Sequence, residues 1–281
     1  MMEKFDPEIL KKLYIPSSNS HKGQNGKILI IAGSELFHAP LLWTLKVASR
    51  IVDMVFFSST PKNNEIAKKE FRDGIIVSRN KIEDYIKEAD CVLIGPGLPR
   101  KDGEEVGDDD TKSLTENLLK KYPEKKWVID GGSLQTIDPA LIPYNAILTP
   151  HEKEFEKLFG VESRIKNQES SQDHNSLFMI HNSAKKHNCV ILLKGPVDVV
   201  CDKNKCARVE GGNAGMTKGG TGDVLAGLTA ALYCKNDDPF LVAQAASYIN
   251  KKAGESLFKK AGYYFNASDL ADEIPRVMGK L

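Results

Sequence analysis

Short apolar runs alternate with stretches of helical spacing along most of this chain. KILIIAG (Lys27–Gly33) is continuous and β-branched, as a strand covered on both faces should be. PLLWTLKVASRI (Pro40–Ile51) then carries apolar residues at helical intervals, and DMVFFSS (Asp53–Ser59) is a second strand. DCVLIGPG (Asp90–Gly97), KWVIDGG (Lys126–Gly132), NAILTP (Asn145–Pro150) and CVILLKG (Cys189–Gly195) repeat the strand signal. Helical segments lie between several of them, at Thr111–Lys121 and His151–Phe159 for example. Strands alternating with helices predict an α/β fold: a mainly parallel central sheet with helices on both faces.

After Gly195 the pattern changes. VDVVCD (Val197–Asp202) and CARVE (Cys206–Glu210) flank KNK and read as a hairpin. Two long helices are expected at Thr221–Tyr233 and Pro239–Phe258. Arg100–Asp110 is acidic and polar, and reads as a solvated loop rather than a metal site. Ser163–Asp173 also reads as loop. With no repeat and no linker-like composition, residues 1–281 are expected to form one domain.

Composition narrows the partners. A net charge of +1 implies no basic face for nucleic acid. No apolar run approaches the roughly 20 residues needed to span a bilayer. The opening MMEKFDPEILKKL lacks an apolar signal core, so a cytoplasmic protein is expected. The cysteines, Cys91, Cys189, Cys201, Cys206 and Cys234, form no CxxC pair. An odd count without close pairing predicts reduced thiols, neither a disulfide framework nor a zinc site.

The candidate chemistry lies in MTKGGTGDVLAG (Met216–Gly227). Gly219, Gly220 and Gly222 let backbone N–H groups converge on an anion. The helix start at Thr221 adds unpaired N–H groups and a positive dipole end. Asp223 falls in the first helical turn, where a carboxylate also simply complements the dipole. A P-loop needs Ser or Thr after its lysine, and Lys218 is followed by Gly219. A dinucleotide fingerprint needs a third glycine and an early strand. GPG, DGG and LTPHE end strands and should gather on one sheet edge, where parallel sheets bind ligands.

Together these segments carry a resemblance. HKGQNGKILIIAGS, HAP, GPGL, WVIDGGSL, ILTPHEKEF, LLKGPVDVV and GNAGMTKGGTGDVLAG occur in the order seen in ADP- or ATP-dependent NAD(P)H-hydrate dehydratases of the ribokinase-like superfamily. The likeness runs from about His21 to Ser256. It implies a three-layer α/β/α fold and a metabolite-repair reaction on hydrated NADH or NADPH. A nucleotide phosphorylates the ring hydroxyl, phosphate leaves and the double bond returns, with ADP the expected donor over ATP. Asp223 would then be the catalytic base, and Gly220, Thr221 and Gly222 the anion hole. Ala39, Gly97, His151 and Asp223 would contact the hydrated dinucleotide. Lys194, Gly195, Pro196, Val197, Asp198 and Gly222 would line the nucleotide. For Ala39 and Gly97, plain packing or a turn is the competing reading. For His151 it is helix capping, and for Lys194 a surface cation.

The resemblance also implies Mg2+, without naming its ligands, and a homo-oligomer, with a tetramer favoured. DGGSL (Asp130–Leu134) stands where the family has DADAL, which keeps Asp130 and removes a second carboxylate. No independent first domain is expected, so the epimerase often fused to such proteins would be absent from this chain. Two alternatives use the same loop: a small-alcohol kinase of the same superfamily, and a nucleotide-binding sensor without catalysis.

Overall fold

The computed structural model describes residues 2–100, 108–160 and 172–281. All its strands join one ten-stranded sheet. In chain order the strands are β1 (Met2–Lys4), β2 (Lys27–Ile31), β3 (Met54–Ser58), β4 (Ile75–Ile76), β5 (Cys91–Ile94), β6 (Lys126–Ile129), β7 (Ile147–Leu148), β8 (Val190–Leu193), β9 (Asp198–Cys201) and β10 (Cys206–Val209). Their spatial order is β1-β10-β9-β8-β7-β6-β5-β2-β3-β4. Pairing is parallel except on the two sides of β9. The expected hairpin is therefore real, and β10 runs on to pair in parallel with β1.

The helices are α1 (Ala39–Ala48), α2 (Pro61–Glu70), α3 (Ile82–Glu88), α4 (Thr111–Lys121), α5 (Gly131–Leu134), α6 (Glu152–Phe159), α7 (Gln172–His187), α8 (Thr221–Tyr233), α9 (Pro239–Ala261) and α10 (Ala267–Met278). The strand period of two divides the core. Ile28 and Ile30 point to a layer filled by α1, α8, α9 and α10. Leu29 and Ile31 point to the opposite layer, against α3, α4, α6 and α7. Both faces are covered, which is why the strands read as continuous apolar runs.

Strand runs are shorter than their sequence pattern. The GPG, DGG and TPH ends leave the ladder and turn into the site. α4 and α8 have the expected bounds, while α9 runs three residues further than expected, to Ala261, and ends where the Gly262 amide donates to the Phe258 carbonyl.

Three expectations change. Cys201 and Cys206 are joined by a disulfide, with Cα atoms 4.1 Å apart. They sit directly opposite each other in the β9–β10 register, so the hairpin brings together two residues that spacing alone does not pair. Cys91, Cys189 and Cys234 are free and buried. Of the acidic segment, residues 101–107 lie outside the described residues. Its last aspartates each hold a partner: Asp108 accepts from the Glu35 amide at 2.7 Å, Asp109 pairs with Arg79, and Asp110, still exposed, caps α4. The expected loop at Ser163–Asp173 lies mostly outside the described residues, and its last two residues open α7.

Candidate active site

β2, β5, β6, β7 and β8 all end on one edge of the sheet, and α1, α6 and α8 begin there. Two cavities open on this edge, of about 570 and 700 Å³. The first is bordered by Ala39, Gly97, Asp130, Gly220 and Asp223. The second is bordered by Gly195, Pro196, Asp198, Thr221, Gly211, Gly212, Asn213, Ala214 and Met216. His151, Lys194 and Gly222 border both, so the cavities meet at the start of α8.

The glycine loop is built by close contact. Gly220 is the N-cap of α8 with φ +94°, and a Cβ there would lie 2.3 Å from the Trp43 ring. Trp43 is held from the other side by its indole N–H, which donates to Ser268 at 3.0 Å. Gly227, two turns along, packs on the α1 backbone, where a Cβ would be 2.9 Å from Thr44 Cα. Gly220→Ala should therefore cost about 1–3 kcal/mol from the left-handed backbone alone, before Trp43 moves. A thermal melt and a turnover assay check this, and unchanged values in both would refute it.

Thr221 holds the loop's shape. Its hydroxyl donates to the Met216 carbonyl at 2.6 Å and the Lys218 carbonyl at 2.9 Å, and its amide reaches Lys218 O at 3.4 Å. Thr221 borders only the second cavity. Lys218 itself turns away, onto the Tyr263 carbonyl and over the Phe265 ring. The loop's lysine thus has no part in an anion cradle, in keeping with its departure from a P-loop.

The charged centre is Lys194. Its ammonium lies 2.9 Å from Asp130 and 3.8 Å from Glu154. Burial works against its charge, but Asp130, Glu154 and Asp223 together hold its pKa above the usual lysine value. Asp130 is also held by the Thr149 hydroxyl at 2.7 Å. Asp223 has its pKa pushed up to about 7. Desolvation is the main cause, Asp130 and Glu154 add repulsion, and Lys194 opposes them. A carboxylate poised near neutrality in the first cavity, next in sequence to Gly222 where the two cavities meet, suits proton abstraction.

His151 caps a helix and also faces the cavities. Its Nδ1 accepts from the Glu154 amide at 3.2 Å, as half of a capping box that starts α6. Its side chain also borders both cavities. Gly97 has φ +66° and packs on Pro40, so the β5 turn and the start of α1 meet at the first cavity. Asp198 is buried and works on its own loop: it accepts from the Gly195 amide at 2.9 Å and the Ser247 hydroxyl at 2.7 Å, and pairs with Lys251 at 3.3 Å. Val197 borders neither cavity.

At the DGGSL variation, a Cβ on Gly132 would lie 2.3 Å from the Leu98 carbonyl, so this close turn excludes larger residues. A second carboxylate is nonetheless present, supplied by Glu154 of α6. Sequence reasoning missed Glu154, although its place three residues after His151 is the capping-box signature. Trp43 and Asn250 were also missed. Both lie inside helical patterns and carry no local signal.

The layered sheet and its ligand edge define a ribokinase-like α/β protein. The chain belongs to the NAD(P)H-hydrate dehydratase family, whose sequence profile matches residues 28–276. It is 37% identical over 281 residues to the bifunctional NAD(P)H-hydrate repair enzyme of Methanocaldococcus jannaschii, covering 96% of this chain and 51% of that protein. The chain thus spans about half the length of that bifunctional relative. It is 34% identical to the ADP-dependent (S)-NAD(P)H-hydrate dehydratase of Nitrosopumilus maritimus, covering 96% of this chain and 94% of the relative. The fold matches the crystal structure of the Bacillus subtilis ADP/ATP-dependent NAD(P)H-hydrate dehydratase, co-crystallized with ATP/Mg2+, with a TM-score of 0.81 at 21% identity. That match covers 99% of this chain and 98% of the other.

Proposed function

We propose that residues 1–281 act as one ribokinase-like domain that returns hydrated NADH or NADPH to NAD(P)H at the expense of a nucleotide, with ADP the favoured donor. The observation that carries this reading is the pair of cavities meeting at Gly222, with Asp223 on one side only. The hydrated nicotinamide enters the first cavity, beside Ala39, Gly97 and His151. The nucleotide enters the second, with its terminal phosphate at the start of α8 and beside Lys194.

Asp223 takes the proton of the ring hydroxyl. The oxygen attacks the terminal phosphorus of ADP, and AMP leaves. That transfer makes an O–P bond and breaks the P–O bond to AMP; the ring's own C–O bond then breaks to release phosphate, a proton is lost from the neighbouring ring carbon, and the double bond forms, so the sum is NAD(P)H, AMP, phosphate and a proton. The backbone amides at Gly220 and Gly222, the α8 dipole and Lys194 stabilise charge on the transferring group. Thr221 contributes by fixing the loop. Gly195 and Pro196 form the nucleotide's wall, and Asp198 keeps that turn in place.

The described residues hold no cluster of three or more His, Cys, Asp or Glu side chains suited to a metal. A protein-built cage is not what phosphoryl transfer needs, since Mg2+ usually keeps one or two carboxylates plus substrate phosphates. Asp130 and Glu154, which border the first cavity beside Lys194, fit that role. When bound, Mg2+ would neutralise phosphate charge. A homo-oligomer, with a tetramer favoured, and a cytoplasmic location belong to the same proposal. No helix of the described residues is long and apolar enough to cross a membrane.

The test mixes protein, Mg2+ and hydrated NADH with ADP or with ATP and follows absorbance at the reduced-nicotinamide band. Absorbance should return only with nucleotide, and faster with ADP. A flat trace with both nucleotides, on substrate that a control enzyme repairs, would overturn the reading.

A further inference from the structure

One buried polar side chain at the second cavity has no partner. Asn250, on the inner face of α9, is only 5% exposed, and its Oδ1 is buried with no hydrogen-bond partner among the described residues. An amide in that state is costly unless something completes it. The neighbouring positions on α9 are all engaged. Lys251 donates to the Gly195 and Pro196 carbonyls at 3.2 and 3.1 Å, and Ser247 holds Asp198. One turn further on, Gly254 is covered by Met216, whose Sδ would lie 2.3 Å from a Cβ there.

Asn250 thus borders the cavity on a helix face that otherwise fastens the turns on either side of it. Lys194 and Gly222 mark the phosphate end, where the two cavities meet. The remaining wall combines Met216 and Leu225 with the backbone of Gly211 and Gly212. Asn213 lines the cavity too, but its amide is taken up by the Gly215 N–H and the Gly254 carbonyl, so the wall offers one unpartnered carboxamide; that suits a planar base and its sugar, with the apolar side chains taking the faces and the amide fixing orientation.

We propose that Asn250 is a specificity residue for the nucleoside half of the nucleotide, completed on binding by a hydrogen-bond donor of that nucleoside. The donor is either the exocyclic amine of adenine or a ribose hydroxyl. A half-turn of the amide exchanges its oxygen and nitrogen, so it can present the oxygen to the cavity. This rests on the second cavity being the nucleotide site.

The experiment is calorimetric binding to the full chain of ADP, of inosine diphosphate, which replaces the amine with a carbonyl, and of 2′-deoxy- and 3′-deoxy-ADP. On the native protein at least one analogue should bind about tenfold or more weakly than ADP, as expected for a buried hydrogen bond lost. Which analogue weakens identifies the donor. In Asn250→Leu, ADP should weaken by a similar factor and the ranking should flatten. The empty variant should melt no lower than the native protein, because leucine removes an acceptor that has no donor. A structural role would instead lower the melting temperature and leave the ranking intact.

Equal binding of all four nucleotides by the native protein overturns the inference without need of the variant, and so does a ranking that survives in Asn250→Leu. ADP that binds while the ranking is flat sinks this inference alone. ADP that fails to bind the native protein takes the proposed function down with it.

Discussion

Replacing Asp223 with asparagine should lower turnover by about a hundredfold to ten-thousandfold, the range for loss of a general base, while ADP still binds. Asparagine keeps the size and loses the proton acceptor, so the loop and the α8 start stay in place. The native enzyme should show an acid limb near pH 7, because Asp223 is pushed up to about 7 and only its charged form accepts a proton. Stability should respond in the opposite sense. A carboxylate whose folded pKa is raised is favoured in its protonated form by the fold. That contribution is fully present below the unfolded value, near 4, and is lost as pH rises through about 7. Above pH 7 the charge sits in a desolvated place beside two other carboxylates, and asparagine removes that burden. Asp223→Asn should therefore melt higher than the native protein at pH 8, and the gap should close as pH falls. Turnover within tenfold of native would remove Asp223 from the role of base.

Lys194→Met should be the most damaging single change at the site. It leaves Asp130, which is 3% exposed, with the Thr149 hydroxyl but without its cation. Breaking a buried pair from one side costs about 3–5 kcal/mol. The three carboxylates Asp130, Glu154 and Asp223 then face one another uncompensated, so Asp223 should hold its proton to still higher pH. The readout is a pH–rate profile beside a thermal melt. The acid limb should move upward and maximal turnover should fall, because the cation at the cavity junction is gone. A variant with the native acid limb would show that Lys194 does not set the protonation of Asp223. Pairing Lys194→Met with Asp130→Asn should recover part of the stability and little of the turnover, which separates the buried pair from phosphate stabilisation.

The sheet was legible in the sequence because burial on both faces forces continuous apolar strands, and β2, β3, β5, β6 and β8 announce themselves that way. β1 was not, since three residues of mixed exposure carry no periodicity. The Cys201–Cys206 bond was missed for a related reason. Spacing rules look along the chain, whereas a hairpin register pairs residues across it. At the site, the glycine loop was readable from its run of glycines; the structure adds that Gly220 is the one whose positive φ and close approach to Trp43 leave no room for a side chain, while Gly219 meets nothing within 4 Å.

Spacing along the chain was enough for the α/β layering, for the strand ends that carry the ligand edge, and for the placing of Asp223 in the first turn of a helix behind three glycines. Local spacing and local backbone freedom settle these. It took the folded chain to show that Lys194 bridges Asp130 and Glu154, that Gly222 stands between two cavities, and that the Asn250 Oδ1 has no partner among the described residues. Lys194 meets Asp130 across 64 residues of chain, and its charge and the raised pKa of Asp223 depend on desolvation and on one another. Such quantities exist only once β6, β7, β8 and α8 have brought their ends together.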